Sequence, residues 1–138
     1  MSTQKELMSI ETLVKSIQFA DLPALGAEFE GGKFAGIATQ KDGTHVAIIL
    51  LPNKAQELTW KKAMNWAEKL NAELPSRLVA ALLFANVKSE LDPKWHWTNE
   101  AYDASSAWYC LFSYGNQNFS HKCYEGSAVA VRLIPLTA

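Results

Sequence analysis

TWKKAMNWAEKLNAELPSRLVAALLFANV, residues 59–87, is the stretch on which the fold turns. Thr59 stands where a helix favours a short oxygen-bearing cap, and Trp60, Ala63, Met64, Ala67 and Leu70 then recur at three- and four-residue steps. They form one apolar stripe, with Lys61, Lys62, Asn65, Glu68 and Lys69 turned mostly away. That helix must stop before Pro75, and Ser76 can cap a second one. Leu78, Ala81, Leu82 and Ala85 are expected to supply the second helix's buried side, and Pro93 bars its extension past the following turn. Two helices thus occupy the middle of the chain.

Outward from the helices the period changes. On the N-terminal side, KFAGIATQ (33–40) and THVAIILL (44–51) read as strands joined by the turn KDG. On the C-terminal side, KWHWTN, AWYCLFSY, NFSHKCY and SAVAVRLI are short strand-like runs separated by Gly, Asn, Ser and Asp. Strands, then helices, then strands give an α+β order, two helices packed on an antiparallel sheet. Met8, Ile10, Leu13, Val14 and Ile17 approximate helical spacing, so residues 1–27 read as an N-terminal helix or arm, docked or solvated, and residues 28–138 as the domain.

Composition bounds the function. At 138 residues, with 49% apolar and 20% charged side chains, the chain suits one domain with its own core. Thirteen basic against fourteen acidic residues leave no electrostatic footprint for phosphate backbones or anionic lipid, so neither nucleic acid nor membrane is favoured. MSTQKELMSIETLVKSIQ carries lysines and glutamates where a signal peptide needs an apolar core, and no run approaches the roughly eighteen apolar residues of a membrane span. A cytoplasmic location is the expectation.

Residues 107–126, AWYCLFSYGNQNFSHKCYEG, raise four readings: disulfide, metal site, catalytic centre or contact face. Folded as a hairpin about Asn116 and Gln117, the segment sets Tyr114 opposite Phe119, Phe112 opposite His121, and Cys110 opposite Cys123. Trp108, Cys110, Phe112, Tyr114, Phe119, His121 and Cys123 then share one face. Directly opposed cysteines reach disulfide geometry only with strain, and the spacing with His121 and His96 matches no paired zinc-ligand pattern, so two small thiols in the core are the expectation, with no metal and no cofactor. A thiol-dependent enzyme or redox protein built on Cys110, Cys123 and His121 remains the alternative. Glu100 and Asp103, three apart in a loop-like segment, read as surface or turn-capping groups.

The final third has an unusual composition. Nine of the fifteen aromatic side chains, including all four tyrosines, fall between Trp95 and Tyr124, while from Trp95 onward only Glu100, Asp103, Lys122, Glu125 and Arg132 are charged. Rigid rings mixed with small polar residues are the chemistry of recognition surfaces, and rings also stack on sugars. About half of these rings are expected to be buried. Trp97, Asn99, Glu100, Tyr102, Trp108, Asn116, Gln117 and Asn118 are the expected ligand-binding residues of a non-catalytic recognition module.

Taken in order, the helix from LTWKKAMNW, LPSR, the second helix, WHWTN, AWY, GNQN and the closing VRLI strand resemble the Lcl C-terminal domain family, a bacterial and phage family of unknown function, over roughly residues 28–136. That family is similar in turn to C-type lectin-like domains, and TWKKAMNWAEKLNAELPSR is also similar to the formylglycine-generating enzymes. The resemblance implies a C-type lectin-like fold with a loop-rich binding region, and a phage or prophage origin. It implies a host protein or surface glycan as partner, inside the host cell or at the virion if the chain is a tail component; a homo-oligomer is compatible with it. WTNE and WYCL stand where calcium-dependent lectins resemble one another in E-P-N or Q-P-D and W-N-D, so calcium-dependent sugar binding is not implied.

Overall fold

The computed structural model describes residues 15–138. Among these residues eight strands and two α-helices follow one another as β1 (Ile17–Gln18), β2 (Glu28–Phe29), β3 (Gly32–Thr39), β4 (His45–Leu58), α1 (Trp60–Lys69), α2 (Arg77–Val87), β5 (Trp95–Ala101), β6 (Ser106–Leu111), β7 (Gln117–His121) and β8 (Gly126–Thr137). The architecture is α+β. One sheet runs β2-β3-β4-β8-β5-β6-β7, with β1 paired to β8 off this path.

The sheet is mixed, which corrects the antiparallel expectation. β8 lies antiparallel to β4, but its opposite edge meets β5 in parallel at His96 and Ser127 and β1 in parallel at Leu136 and Ile17. β5 and β8 are separated in the chain by the β6–β7 hairpin, so no tight turn joins them to impose the reversal that a hairpin does. Ile17, expected in a helix, is a buried strand residue. The remaining positions of that expected helix, Met8 to Val14, lie outside the described residues.

Both faces of the sheet are covered at its central strands, β4 and β8. Along β4, Val46, Ile48 and Leu50 join one core with Val79, Leu83 and Val87 of α2, while Ala47, Ile49 and Leu51 join the other with Ala63 and Ala67 of α1. β8 divides likewise, Val129 and Val131 towards α2, Ala128 and Ala130 towards α1. This is why VAIILL and AVAV read as nearly unbroken apolar runs: a strand between two helical layers has no wet side. Each fully buried valine, leucine or isoleucine contributes about 1.5–3 kcal/mol.

The helix ends follow local chemistry. Ser76 Oγ accepts the Val79 amide at 3.1 Å and starts α2. Thr59, expected to cap α1, adopts the extended cap conformation without a side-chain hydrogen bond. α1 buries Ala63 and Ala67, with Trp60, Met64 and Leu70 packed against the same core, as its stripe predicts. α2 is turned differently: Val79, Ala80, Leu83 and Val87 face inward, and Leu78 is 53% exposed. Its sequence is apolar nearly all round, so periodicity alone could not choose the face.

β4 runs past Leu51, where the expected strand ended, to Leu58. A register shift between Leu50 and Lys54 accommodates exposed Pro52, which has no amide to give a ladder. Two indoles then pin this corner to β5: Trp97 Nε1 donates to the Leu58 carbonyl at 2.9 Å, and Trp60 Nε1 to the Thr98 carbonyl at 2.8 Å.

Candidate functional site

Strands β6 and β7 form the hairpin on which the expected site depends, and its register differs from the expected one. Trp108 pairs with Phe119, Tyr109 with Asn118 and Cys110 with Gln117. The turn is therefore centred before Gly115 instead of at Asn116–Gln117. Phe112 leaves β6 to give its amide to the Lys94 carbonyl at 3.0 Å, the Gly115 amide donates to Leu111 at 2.7 Å, and Leu111 donates to Asn116 at 2.9 Å. Gly115 holds φ +83°, a left-handed conformation, and its missing Cβ leaves room for the ring of Phe84 on α2. Each strand slips three residues from the expected pairing, an even change in the sum of paired numbers, so the face assignment of Trp108, Cys110, Phe119 and His121 survives although their partners change.

Cys110 and Cys123 are consequently not cross-strand neighbours. Cys110 is buried opposite Gln117 on one side and His96 on the other, while Cys123 is exposed in the turn after β7, and both are free thiols. Burial raises the Cys110 thiol above its ordinary value, away from the thiolate a nucleophile needs. Burial lowers His96, whose Nδ1 lies 2.8 Å from the Lys94 carbonyl. His121 packs its ring against Tyr124 with centroids 5.7 Å apart. Among the described residues no three His, Cys, Asp or Glu side chains are grouped to hold a metal ion.

The Trp108 face comes together differently. α2 covers this face of the sheet with Val79 and Leu83, which share a core with Cys110. Its first residue, Arg77, lies further along, the guanidinium carbon 3.6 Å from the Trp108 ring centroid. Arg77 Nε donates to Gln117 Oε1 at 2.9 Å, and Gln117 Nε2 donates back to the Arg77 carbonyl at 2.7 Å. This reciprocal pair fixes the guanidinium plane over the indole. Among the described residues the terminal amino groups of Arg77 meet no carboxylate and no other acceptor.

Beyond Arg77 the face is open. Tyr102 stacks on Phe119 with ring centroids 3.8 Å apart and planes 3° from parallel, and both meet Trp108 edge-on, at 5.6 Å and 5.5 Å. Tyr102 is 50% exposed and Phe119 41%. The turn carrying Tyr102 is tied by Asp103, whose Oδ1 accepts the amides of Ser105 and Ser106 at 2.9 Å and 2.7 Å. Those bonds, the Ser105 amide foremost, hold its carboxyl below the ordinary value. Asp103 is thus the turn cap that its position implied.

Of the eight expected ligand-binding residues, Tyr102 and Trp108 meet in this cluster. Trp97 is a correction: it is fully buried, with its indole nitrogen satisfied by Leu58. Glu100 is exposed, but its Oε2 accepts the Arg77 amide at 2.7 Å and so caps the start of α2. Half-buried Asn99 gives its amide to the Pro75 carbonyl at 2.9 Å. Gln117 and Asn118 are strand residues, not a loop tip; Gln117 is committed to Arg77, and Asn118 accepts the Phe119 amide on its own side chain at 2.8 Å. Asn116 is exposed at the end of the turn. Sequence reasoning missed Arg77 and Phe119. Phe119 was detectable, since it shares the Trp108 face by alternation, whereas nothing local ties Arg77 to a strand 40 positions away.

Concave surface lies elsewhere. One cleft of about 390 Å³ sits over Phe29, Leu50 and Val129, and a wider depression of about 800 Å³ lies beside Arg132. Their basic groups are engaged: Lys33 with Glu28, Lys54 with Asp92, Lys15 with Glu30, and Arg132 with the carbonyls of Leu70 and Asn71 that end α1. No helix among the described residues is long and apolar enough to cross a membrane. The chain matches no protein-family model, and a search of curated proteins returns no match.

Proposed function

We propose that this chain is a non-catalytic recognition module that engages a protein or surface glycan through Tyr102, Phe119 and Trp108, with Arg77 at their margin. The observation that carries this reading is the solvent-facing Tyr102–Phe119 stack braced by Trp108 and a fixed guanidinium. Aromatic rings and arginine are the side chains that dominate binding energy at interfaces, and here their conformations are set before any partner arrives. Tyr102, Phe119 and Trp108 line neither cleft described above, and a solvent-facing aromatic stack of this kind suits a macromolecular or polymeric ligand better than an enclosed small molecule.

The finer identity belongs to the same proposal. Membership of the Lcl C-terminal domain family and a C-type lectin-like scaffold rest on the motif order quoted above, now with the helices packed on the sheet. A phage or prophage origin, and action either inside the host cell or at a virion tail, follow from that resemblance. Glycan and protein arrays probed with the wild-type chain, Tyr102→Ala and Phe119→Ala provide the test. Each substitution is expected to weaken the specific signals by roughly thirtyfold or more, the effect of losing an interface anchor worth about 2 kcal/mol. Signals that persist undiminished in both variants would remove this face from the function.

A further inference from the structure

Resting on that reading of the face, we propose that its partner is an extended protein segment that adds to the sheet along the open edge of β7 and presents an acidic side chain to Arg77. β7 ends the sheet, and among the described strands it pairs with β6 alone. The Lys122 amide donates to the Ser105 carbonyl at 2.8 Å, and the Asn116 carbonyl accepts from Leu111. In this register the even-numbered residues of β7 direct their main-chain groups at β6. Gln117, Phe119 and His121 therefore direct theirs at the opposite, unpaired edge. The strand, QNFSH, contains no proline, lysine or acidic residue, the devices that commonly blunt an edge. Two outward groups are already satisfied, the Phe119 amide by Asn118 and the His121 carbonyl by the Tyr124 amide at 3.1 Å. Among the described residues the amide and carbonyl of Gln117, the carbonyl of Phe119 and the amide of His121 have no partner and are left for a further strand.

The second observation is independent of the first. Arg77 is held by Gln117 through Nε, so the fork of its two terminal amino groups is free to take a carboxylate in bidentate fashion. Gln117 and Phe119 lie on the Arg77 face, two residues apart. A strand added antiparallel, about 4.8 Å beyond β7, would place one side chain against the Tyr102–Phe119 stack and, two residues later, one opposite Gln117. A glutamate at the second position is long enough to reach Arg77. The partner motif, read from N to C, is aromatic–x–Glu. An acidic glycan could offer the carboxylate but has no amide ladder to match the edge, which is why a polypeptide is favoured.

The test is selection of a displayed random octapeptide library on the full chain, followed by affinity measurement on the enriched peptides. Enriched sequences are expected to carry aromatic–x–Glu. Affinity should fall by about tenfold to a hundredfold on Arg77→Gln, or on changing the peptide glutamate to glutamine if that variant does not fold. N-methylating the amide of the aromatic or glutamate residue, each of which would face β7, should abolish binding, while N-methylating the residue between them should not. Asn118→Ala, which frees the Phe119 amide, should bind no more weakly than wild type. Enriched peptides that lack an acid or tolerate every N-methylation would overturn strand addition; if they still depended on Tyr102, the recognition face would stand. Absence of enrichment, or Arg77-dependent binding of an oligo-uronate in its place, would equally overturn the peptide assignment.

Discussion

Arg77 and His96 show how single side chains acquire roles from partners remote in sequence. Arg77 is an ordinary first-turn helix residue until Trp108 supplies a ring beneath it and Gln117 a hook beside it. His96 is likewise defined by its surroundings, buried between the Phe112 ring at 4.7 Å and Cys110 across the β5–β6 pair. Burial is the main cause of its lowered pKa, opposed by the Lys94 carbonyl and Asp92, while Lys54 and Lys94 add to the lowering. The folded chain therefore refuses a proton that the unfolded chain accepts below the ordinary value of 6.5. By linkage this contribution is neutral above that value, and stability declines as pH falls below it, until the depressed folded value is reached. Urea midpoints at pH 7.5 and 5 should show this decline in the wild type, and His96→Asn should flatten it. An unchanged slope in the variant would place the acid sensitivity elsewhere.

At the scale of elements, helix existence was legible and helix orientation only partly so. The α1 stripe is amphipathic, and water selects its face; in α2, Leu78 and Val79 are equally apolar, and the choice between them falls to Cys110, Phe112 and the β4 residues beneath. The β6–β7 hairpin is a similar case. Asn116 is a good turn former, yet the turn sits earlier, because Phe112 gains a buried place and Gly115 alone tolerates both the left-handed backbone and the Phe84 ring. A Cβ at Gly115 would stand 2.6 Å from that ring. Gly115→Ala should thus cost about 1–3 kcal/mol by chemical denaturation, from backbone strain together with overpacking. Phe84→Ala in the same background should recover part of that loss if the contact is the cause, while a Gly115→Ala variant as stable as wild type would contradict the account of the turn.

Across the whole molecule, β8 is the organising strand. It meets β4 along one edge and β5, Glu73 and β1 in succession along the other, so this one strand ties together pieces from before, between and after the helices. The β5–β7 part of the sheet, which carries the recognition face, joins the rest through His96–Ser127 and the paired indoles of Trp97 and Trp60. Trp97→Ala should accordingly cost about 3–5 kcal/mol, since it empties a fully buried site and leaves the Leu58 carbonyl without its donor. Trp97→Phe should fall between the two. Thermal melts followed by circular dichroism would check the order; a loss of binding in Trp97→Ala without loss of stability would instead return this indole to the recognition surface.

What the chain's own pattern determined is the content of the fold: two helices, the Ser76 start of the second, the strands on either side, and the concentration of rings in the final third. These are short-range properties, set by side-chain periodicity, capping oxygens and the fixed φ of proline. Only tertiary structure decided the parallel joins of β8, the inward face of α2, the register of the β6–β7 hairpin and the meeting of Arg77 with Trp108. Each is a choice among local alternatives of similar energy, resolved by burial and by hydrogen bonds between residues far apart in the chain.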